Sequence, residues 1–211
     1  QYTILDERVK DAYLPRFILP FRIGKKEASE RLQGEFKNRI FAPDSFLSEA
    51  TLSRMEGSYV PFWLYDMSAD CHYDGTGTRV RVWRSGDTEY TETSWFHVLR
   101  DMEVQFEKVP ADASEKFPDE IMDLMEPYEY DGLQNFTPEY MSGFLGEVYN
   151  GPSGEYVSRA QEKAETDAKS LLMQTVSGYS TVIPEHETVE IRQQDARYAL
   201  LPVWCYRYRY R

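Results

Sequence analysis

Cysteine is nearly absent: the 211 residues hold only Cys71 and Cys205, and no Cys-x-x-Cys pair exists. A zinc ribbon or dithiol redox motif within this chain is thereby excluded, and lone thiols are the expectation. Histidine is as scarce, with His72, His97 and His186, none at the i, i+4 spacing of a helical metal site. No glycine-rich phosphate loop of the Walker type occurs, and Ser177-Gly-Tyr-Ser180 lacks the flanking glycine of a nucleophile elbow. No apolar run approaches the roughly 18 residues that span a bilayer, and no signal peptide is visible. Positive charge is in deficit: 24 Lys and Arg stand against 36 Asp and Glu, a net charge of −12. Twelve acids between Asp101 and Glu139 face only Lys108 and Lys116, so that stretch repels phosphate backbones and argues against direct nucleic-acid binding.

What is present is aromatic and alternating. The chain has 16 Tyr, 11 Phe and 4 Trp, a composition suited to packed sheets and not to disorder. Lys25 to Ile40 predicts a helix with Ala28, Leu32, Phe36 and Ile40 as one stripe, stopped near Pro43. Tyr59 to His72 alternates, with Trp63, Tyr65, Met67, Ala69 and Cys71 on one face and Asp66, Ser68, Asp70 and His72 on the other. Asp74-Gly-Thr-Gly77 predicts a turn, Thr78 to Arg84 a strand, Ser85-Gly-Asp87 a second turn, and Thr88 to Val104 a third strand, together a meander. Pro118 predicts a short helix through Met125, and Thr137-Pro138-Glu139 a helix start. Glu155 to Val176 predicts the longest helix, its buried stripe being Val157, Ala160, Ala164, Ala168, Leu171, Leu172 and Val176, with Gly178 as a cap. Two strands, 180–192 and 197–210, follow. Pro61-Phe-Trp63-Leu-Tyr65 echoes Pro202-Val-Trp204-Cys-Tyr206, which raises a helix-then-sheet duplication; proline there predicts an edge or a bulge.

Each polar constellation has a structural reading that outweighs the chemical one. Asp66, Asp70 and His72 on one strand face resemble a hard-metal or acid/base site, but a half-buried sheet needs just such a solvated face. Cys71 and His72 point to opposite faces and do not share an ion. Tyr206, Tyr208 and Tyr210 alternate with Arg207, Arg209 and Arg211 as an ordinary strand does, although the pattern also suits a stacking platform for single strands. Asn135-Phe-Thr137 reads as a lead into a helix cap in preference to a glycosylation acceptor.

Several pieces in order resemble a known group: Leu19-Pro-Phe21 with Ala28, Gly57-x-Tyr-Val-Pro-Phe-Trp-Leu-Tyr65, Val109-Pro-Ala-Asp-Ala-Ser114, Glu126-Pro-Tyr128, Phe136-x-x-x-Tyr140-x-Ser-Gly-Phe144 and Leu201-Pro-Val-Trp204. They resemble a bacterial, Firmicutes-type zinc-ribbon-containing protein family of unknown function, often labelled TFIIB-type zinc ribbon-containing or, mistakenly, replication-restart primosomal helicase. The resemblance implies a ribbon before Gln1, membrane-spanning segments after Arg211, zinc only in that ribbon, and no catalytic residues to carry over. With Gln1 not a methionine and Arg211 in mid-strand, the chain reads as an excised middle region.

The expectation is therefore an α+β domain, a curved antiparallel sheet packed against the helices at 25–40 and 155–176. It is read as a single domain over 1–211 with pseudo-repeat halves 1–105 and 150–211 joined by the acidic segment 106–150, which wraps the sheet or covers an edge. The function expected is a non-enzymatic interaction or scaffold module with a protein partner, cytoplasmic and tethered to the membrane only through flanking segments. No catalytic, cofactor-binding or metal residue is assigned. The alternatives are nucleic-acid association through the absent ribbon, or a metal-dependent hydrolase built on Asp66, Asp70 and the acids between 112 and 120.

Overall fold

The computed structural model describes residues 14–36, 52, 54–114, 116–147 and 151–206. The architecture is α+β, with a six-stranded mixed sheet and three helices. In chain order the elements are β1 (Phe17–Ile18), α1 (Lys25–Phe36), β2 (Glu56–Ser85), β3 (Thr88–Asp112), α2 (Asp119–Asp123), β4 (Gln134–Asn135), β5 (Leu145–Gly146), α3 (Ser153–Thr175) and β6 (Thr181–Cys205), with 3-10 turns at Tyr130–Gly132 and Pro138–Met141. The sheet order is β3-β2-β6-β1-β4, with β5 on β2. It is not wholly antiparallel: β1 runs parallel to β6 and β5 parallel to β2. Both are two-residue strands that arrive after long connections, the route parallel pairing requires.

Two compact units divide the chain. The first comprises residues up to Trp63, Asp112–Ser153 and those from Arg197 on. Here β1 lies between β6, with Ile18 opposite Leu200, and β4, with Ile18 opposite Gln134. An aromatic cluster fills it. Phe21 stacks on Phe144 at 4.3 Å and 9°, meets Tyr59 edge-on at 5.0 Å, and lies 4.9 Å from Trp204. A Cβ on Gly57 would sit 2.7 Å from the Phe144 ring, so glycine there makes room for the stack. Phe62 receives Tyr128 edge-on, and buried Glu147 accepts a 2.9 Å bond from Ser114 Oγ. The acidic segment thus supplies two short strands and packing groups. Thr137 precedes the Pro138–Met141 turn as expected, but its hydroxyl goes to the Glu139 carboxylate, holding that group below the usual range.

The second unit comprises Leu64–Ala111 and Gly154–Ala196. Its core joins Ala69, Cys71, Tyr73 and Val98 of the sheet to Ala168, Leu172 and Val176 from α3 and its C-terminal end. Alanine at every fourth position, 160, 164 and 168, lets the helix approach the sheet closely before Leu172 fills the widening gap. Leu171, placed in this stripe by the sequence, is exposed instead. Gly178, expected as a cap, lies three residues beyond the last residue of α3 at φ 88°, where the chain turns toward β6.

Three turns and breaks expected from sequence differ. β2 runs unbroken through Asp74-Gly-Thr-Gly77. These glycines serve close approach: a Cβ on Gly75 would lie 2.6 Å from the Ile183 carbonyl, and one on Gly77 2.5 Å from the Tyr179 ring. β6 is likewise one strand across Gln193-Gln-Asp-Ala196, which holds neither glycine nor proline. Within that run Gln194 Nε2 donates to Gln105 Oε1 at 3.2 Å. Pro61 and Pro202 lie inside β2 and β6, which have neighbours on both sides in the sheet order, so neither marks an edge. The turn at Gly86-Asp87 is present, with Gly86 at φ 61° as the first turn residue. α1 follows the expected stripe to Phe36; Ile40 and Pro43, like residues 207–211, lie outside the described residues.

Candidate interaction surface

The second unit presents a polar sheet face and an apolar one, and the polar face holds the residues whose chemistry stood out. Asp66, Asp70 and His72 do share one side of β2, but each is tied to its own partner. Asp66 Oδ1 accepts the Lys108 N–H at 3.0 Å, where Lys108 sits at φ 57°. That is a bulge: before it His72 faces Asp101 in the register the hairpin turn sets, while beyond it the Ala113 N–H bonds Pro61 C=O, one residue out of that register. Asp70 pairs with Arg192, and His72 Nδ1 lies 2.7 Å from Asp101 Oδ1. A second such pair, His97 Nε2 with Asp74 Oδ1 at 2.6 Å, lies further along. Asp70, His72, Asp101, Glu103, Thr188 and Glu190 line an open groove of about 500 Å³. Among the described residues no three His, Cys, Asp or Glu come together as a cation site.

Cys71 faces the other way, buried in the core, and burial pushes its thiol up. Neither cysteine forms a disulfide among the described residues. His186 is exposed on β6. Trp63 donates its indole N–H to Gly151 O at 3.4 Å, and Trp204 belongs to the aromatic cluster of the first unit.

The surface that sequence reasoning passed over is the end of the β2–β3 hairpin. From Arg79 to Thr93 every residue is exposed. Cross-strand partners fix which side chains share a face. Arg84 meets Glu89, Trp83 stacks on Tyr90 at 5.6 Å and 12°, and His72 meets Asp101, so even positions of β2 share a face with odd positions of β3. Val80, Val82, Thr91, Thr93, Trp95 and Leu99 therefore lie together on the side away from α3. Trp95 is 66% exposed and Val82 56%. On the opposite side Arg79 rests between Phe96 and Tyr179, 5.0 and 5.3 Å from their ring centres, and donates Nε to Gly178 O. Arg81 lies over Trp83 at 5.5 Å. Between the Arg84–Glu89 pair and the His97–Asp74 pair, Val80, Val82, Thr91, Thr93 and Trp95 form an uncharged patch of the kind that marks interaction sites. A signal was available: Val80-x-Val82 and Thr91-x-Thr93-x-Trp95 alternate without a charge, while the intervening Arg81, Glu92 and Ser94 are charged or polar.

Among the described residues no helix is long and apolar enough to cross a membrane. The chain is similar to the uncharacterized protein YdjG of Bacillus subtilis (strain 168), with 35% identity over 208 residues, 99% of this chain and 61% of that protein. It thus spans about three-fifths of the length of the curated relative it matches. No family model matches the chain, and no solved structure matches it.

Proposed function

We propose that this chain is a non-enzymatic protein-interaction module of a larger bacterial protein, one that carries a zinc ribbon ahead of it and is tethered to the membrane by segments outside it. The observation that carries the reading is the uncharged patch of Val80, Val82, Thr91, Thr93 and Trp95 on the outer face of the hairpin, with Val82 and Trp95 more than half exposed at the end of a folded unit. The polar stretch of the same face supports it as well. Asp66, Asp70 and His72 are each held by a different structural partner, so they orient strands and are not converged on a reacting atom. The motif residues Phe21, Gly57, Tyr59, Phe144 and Trp204 support it too, since they meet in packing.

Site-specific photo-crosslinking in cells tests this. A photoreactive residue at Val82 or Trp95 is expected to capture another polypeptide, and one at Asp70 or Glu103 is not. The reverse pattern, or saturable heat from calcium, magnesium or zinc that disappears in Asp70→Asn and His72→Asn, overturns the reading.

A further inference from the structure

β3 stands at one end of the sheet order, and among the described residues no strand pairs its outer side. Its two halves treat that open edge differently. The C-terminal half carries the devices that discourage strand addition: the bulge at Lys108, Pro110, and the acids Asp101, Glu103 and Glu107. The N-terminal half, Thr88 to Leu99, has no proline, glycine or bulge and is rich in Thr, Tyr, Trp and Phe, residues that favour strands.

The hairpin register decides which backbone groups that edge offers. A two-residue turn makes its flanking residues, Ser85 and Thr88, a hydrogen-bonded pair, and such pairs recur at every second position. Even residues of β3 up to Arg100 thus direct N–H and C=O at β2. Glu89, Thr91, Thr93, Trp95, His97, Leu99 and Asp101 direct theirs at the open edge.

We propose, resting on the interaction reading above, that the occupant of this edge is a second copy of the chain, paired antiparallel about a two-fold axis at Phe96. The charge pattern selects both copy and register. About that axis Glu92 opposes Arg100 of the other copy, and the reciprocal pair repeats it. Both side chains lie on the helix side of the strand, where Arg100 is positioned by donating Nε to Thr175 O and Nη1 to Leu99 O. Thr93 then opposes Leu99, Trp95 opposes His97, and the uncharged patches around Trp95 of the two copies join. Further out Glu89 meets Glu103, and that repulsion ends the pairing. Elsewhere a net charge of −12 opposes self-association; this segment is where it is locally relieved.

Sedimentation velocity on the full chain, over a concentration series, is the test. A concentration-dependent dimer is expected. Thr93→Pro removes an outward N–H and no ladder bond, so it is expected to give a monomer with unchanged unfolding midpoint. Ser94→Pro, whose N–H faces β2, is expected to lower that midpoint. Glu92→Arg and Arg100→Glu are each expected to weaken the dimer about tenfold, and mixing the two variants to restore it as a heterodimer. Two results overturn the proposal. A wild-type chain monomeric at every concentration does so while leaving the interaction reading standing if Trp95 still crosslinks to a different protein. A dimer that survives Thr93→Pro but is lost in Val82→Ser does so in favour of face-to-face stacking.

Discussion

The covered and open stretches of β2 are built alike and end differently. Ala69, Cys71 and Tyr73 point to the helix side and are buried under Ala168, Leu172 and Val176. Arg79, Arg81 and Trp83 point to the same side a few residues on and are exposed. The alternation does not change; the cover does. A helix rises about 1.5 Å per residue and a strand about 3.3 Å, so α3 is about 35 Å long against about 70 Å for Leu64–Ser85. α3 ends at Thr175, and the strands continue past it. The outer hairpin holds itself by stacking, as in Trp83 on Tyr90, without a second layer. Folding energy is concentrated under the helix, and the surface available to a partner lies where the helix stops.

Truncating the two stretches separates them most sharply. Leu172 is fully enclosed in the covered core, so Leu172→Ala is expected to cost about 2–5 kcal/mol in urea unfolding. Trp83→Ala, at an exposed stacked ring, is expected to cost about 0.5–1.5 kcal/mol. Equal losses would mean that the hairpin shares the core's cover, and the distinction between the stretches would fail.

The glycines at the boundary sharpen the comparison. Alanine in a strand is normally favoured over glycine by about 0.5–1 kcal/mol. At Gly75 the new Cβ meets the Ile183 backbone carbonyl at 2.6 Å, and backbone in a ladder does not yield. Gly75→Ala is expected to cost about 1–3 kcal/mol. At Gly77 it meets the Tyr179 ring, which can swing outward at the loss of its contact with Arg79. Gly77→Ala is therefore expected to be close to neutral by the same unfolding measurement. A larger loss at Gly77 than at Gly75 would show the ring to be the more rigid of the two.

These glycines also show where the sequence stopped being legible. α3 was readable because Ala160, Ala164, Ala168 and Leu172 recur with its period, and the polar face of β2 because Asp66, Asp70 and His72 alternate. Asp74-Gly-Thr-Gly77 was misread as a turn because the cause of its glycines, Ile183 and Tyr179, lies more than a hundred residues away in the chain. Likewise the parallel strands β1 and β5 are two residues long and carry no periodic signal. The hairpin face of Val80, Val82 and Trp95 alternates as a core strand does; only the helix length decides that it is left open. The segments with the most distinctive sequence, around Gly57, Phe144 and Trp204, proved to specify aromatic packing.

The smallest effect is expected at the margin of the covered core, and its sign is the informative part. Tyr73 is fully enclosed, yet its hydroxyl has no hydrogen-bond partner among the described residues. Burial first, then Glu187, Asp74 and Glu185, raise its pKa above tyrosine's ordinary 10.0. An enclosed hydroxyl without a partner costs desolvation, so Tyr73→Phe is expected to be neutral or stabilising by up to about 1 kcal/mol at pH 7. The pH dependence follows from the raised pKa. The folded chain keeps the proton that the unfolded chain releases above pH 10.0, so this tyrosine's share of stability is whole below that pH and falls as pH rises toward the folded value. Phenylalanine has no such loss. The advantage of Tyr73→Phe is expected to grow above pH 10.0, by at most about 1.4 kcal/mol per pH unit, when unfolding is followed from pH 8 to pH 11. Destabilisation at pH 7 would show that the hydroxyl has a partner after all, and that the covered stretch is closed by a polar contact at the point where the helix ends.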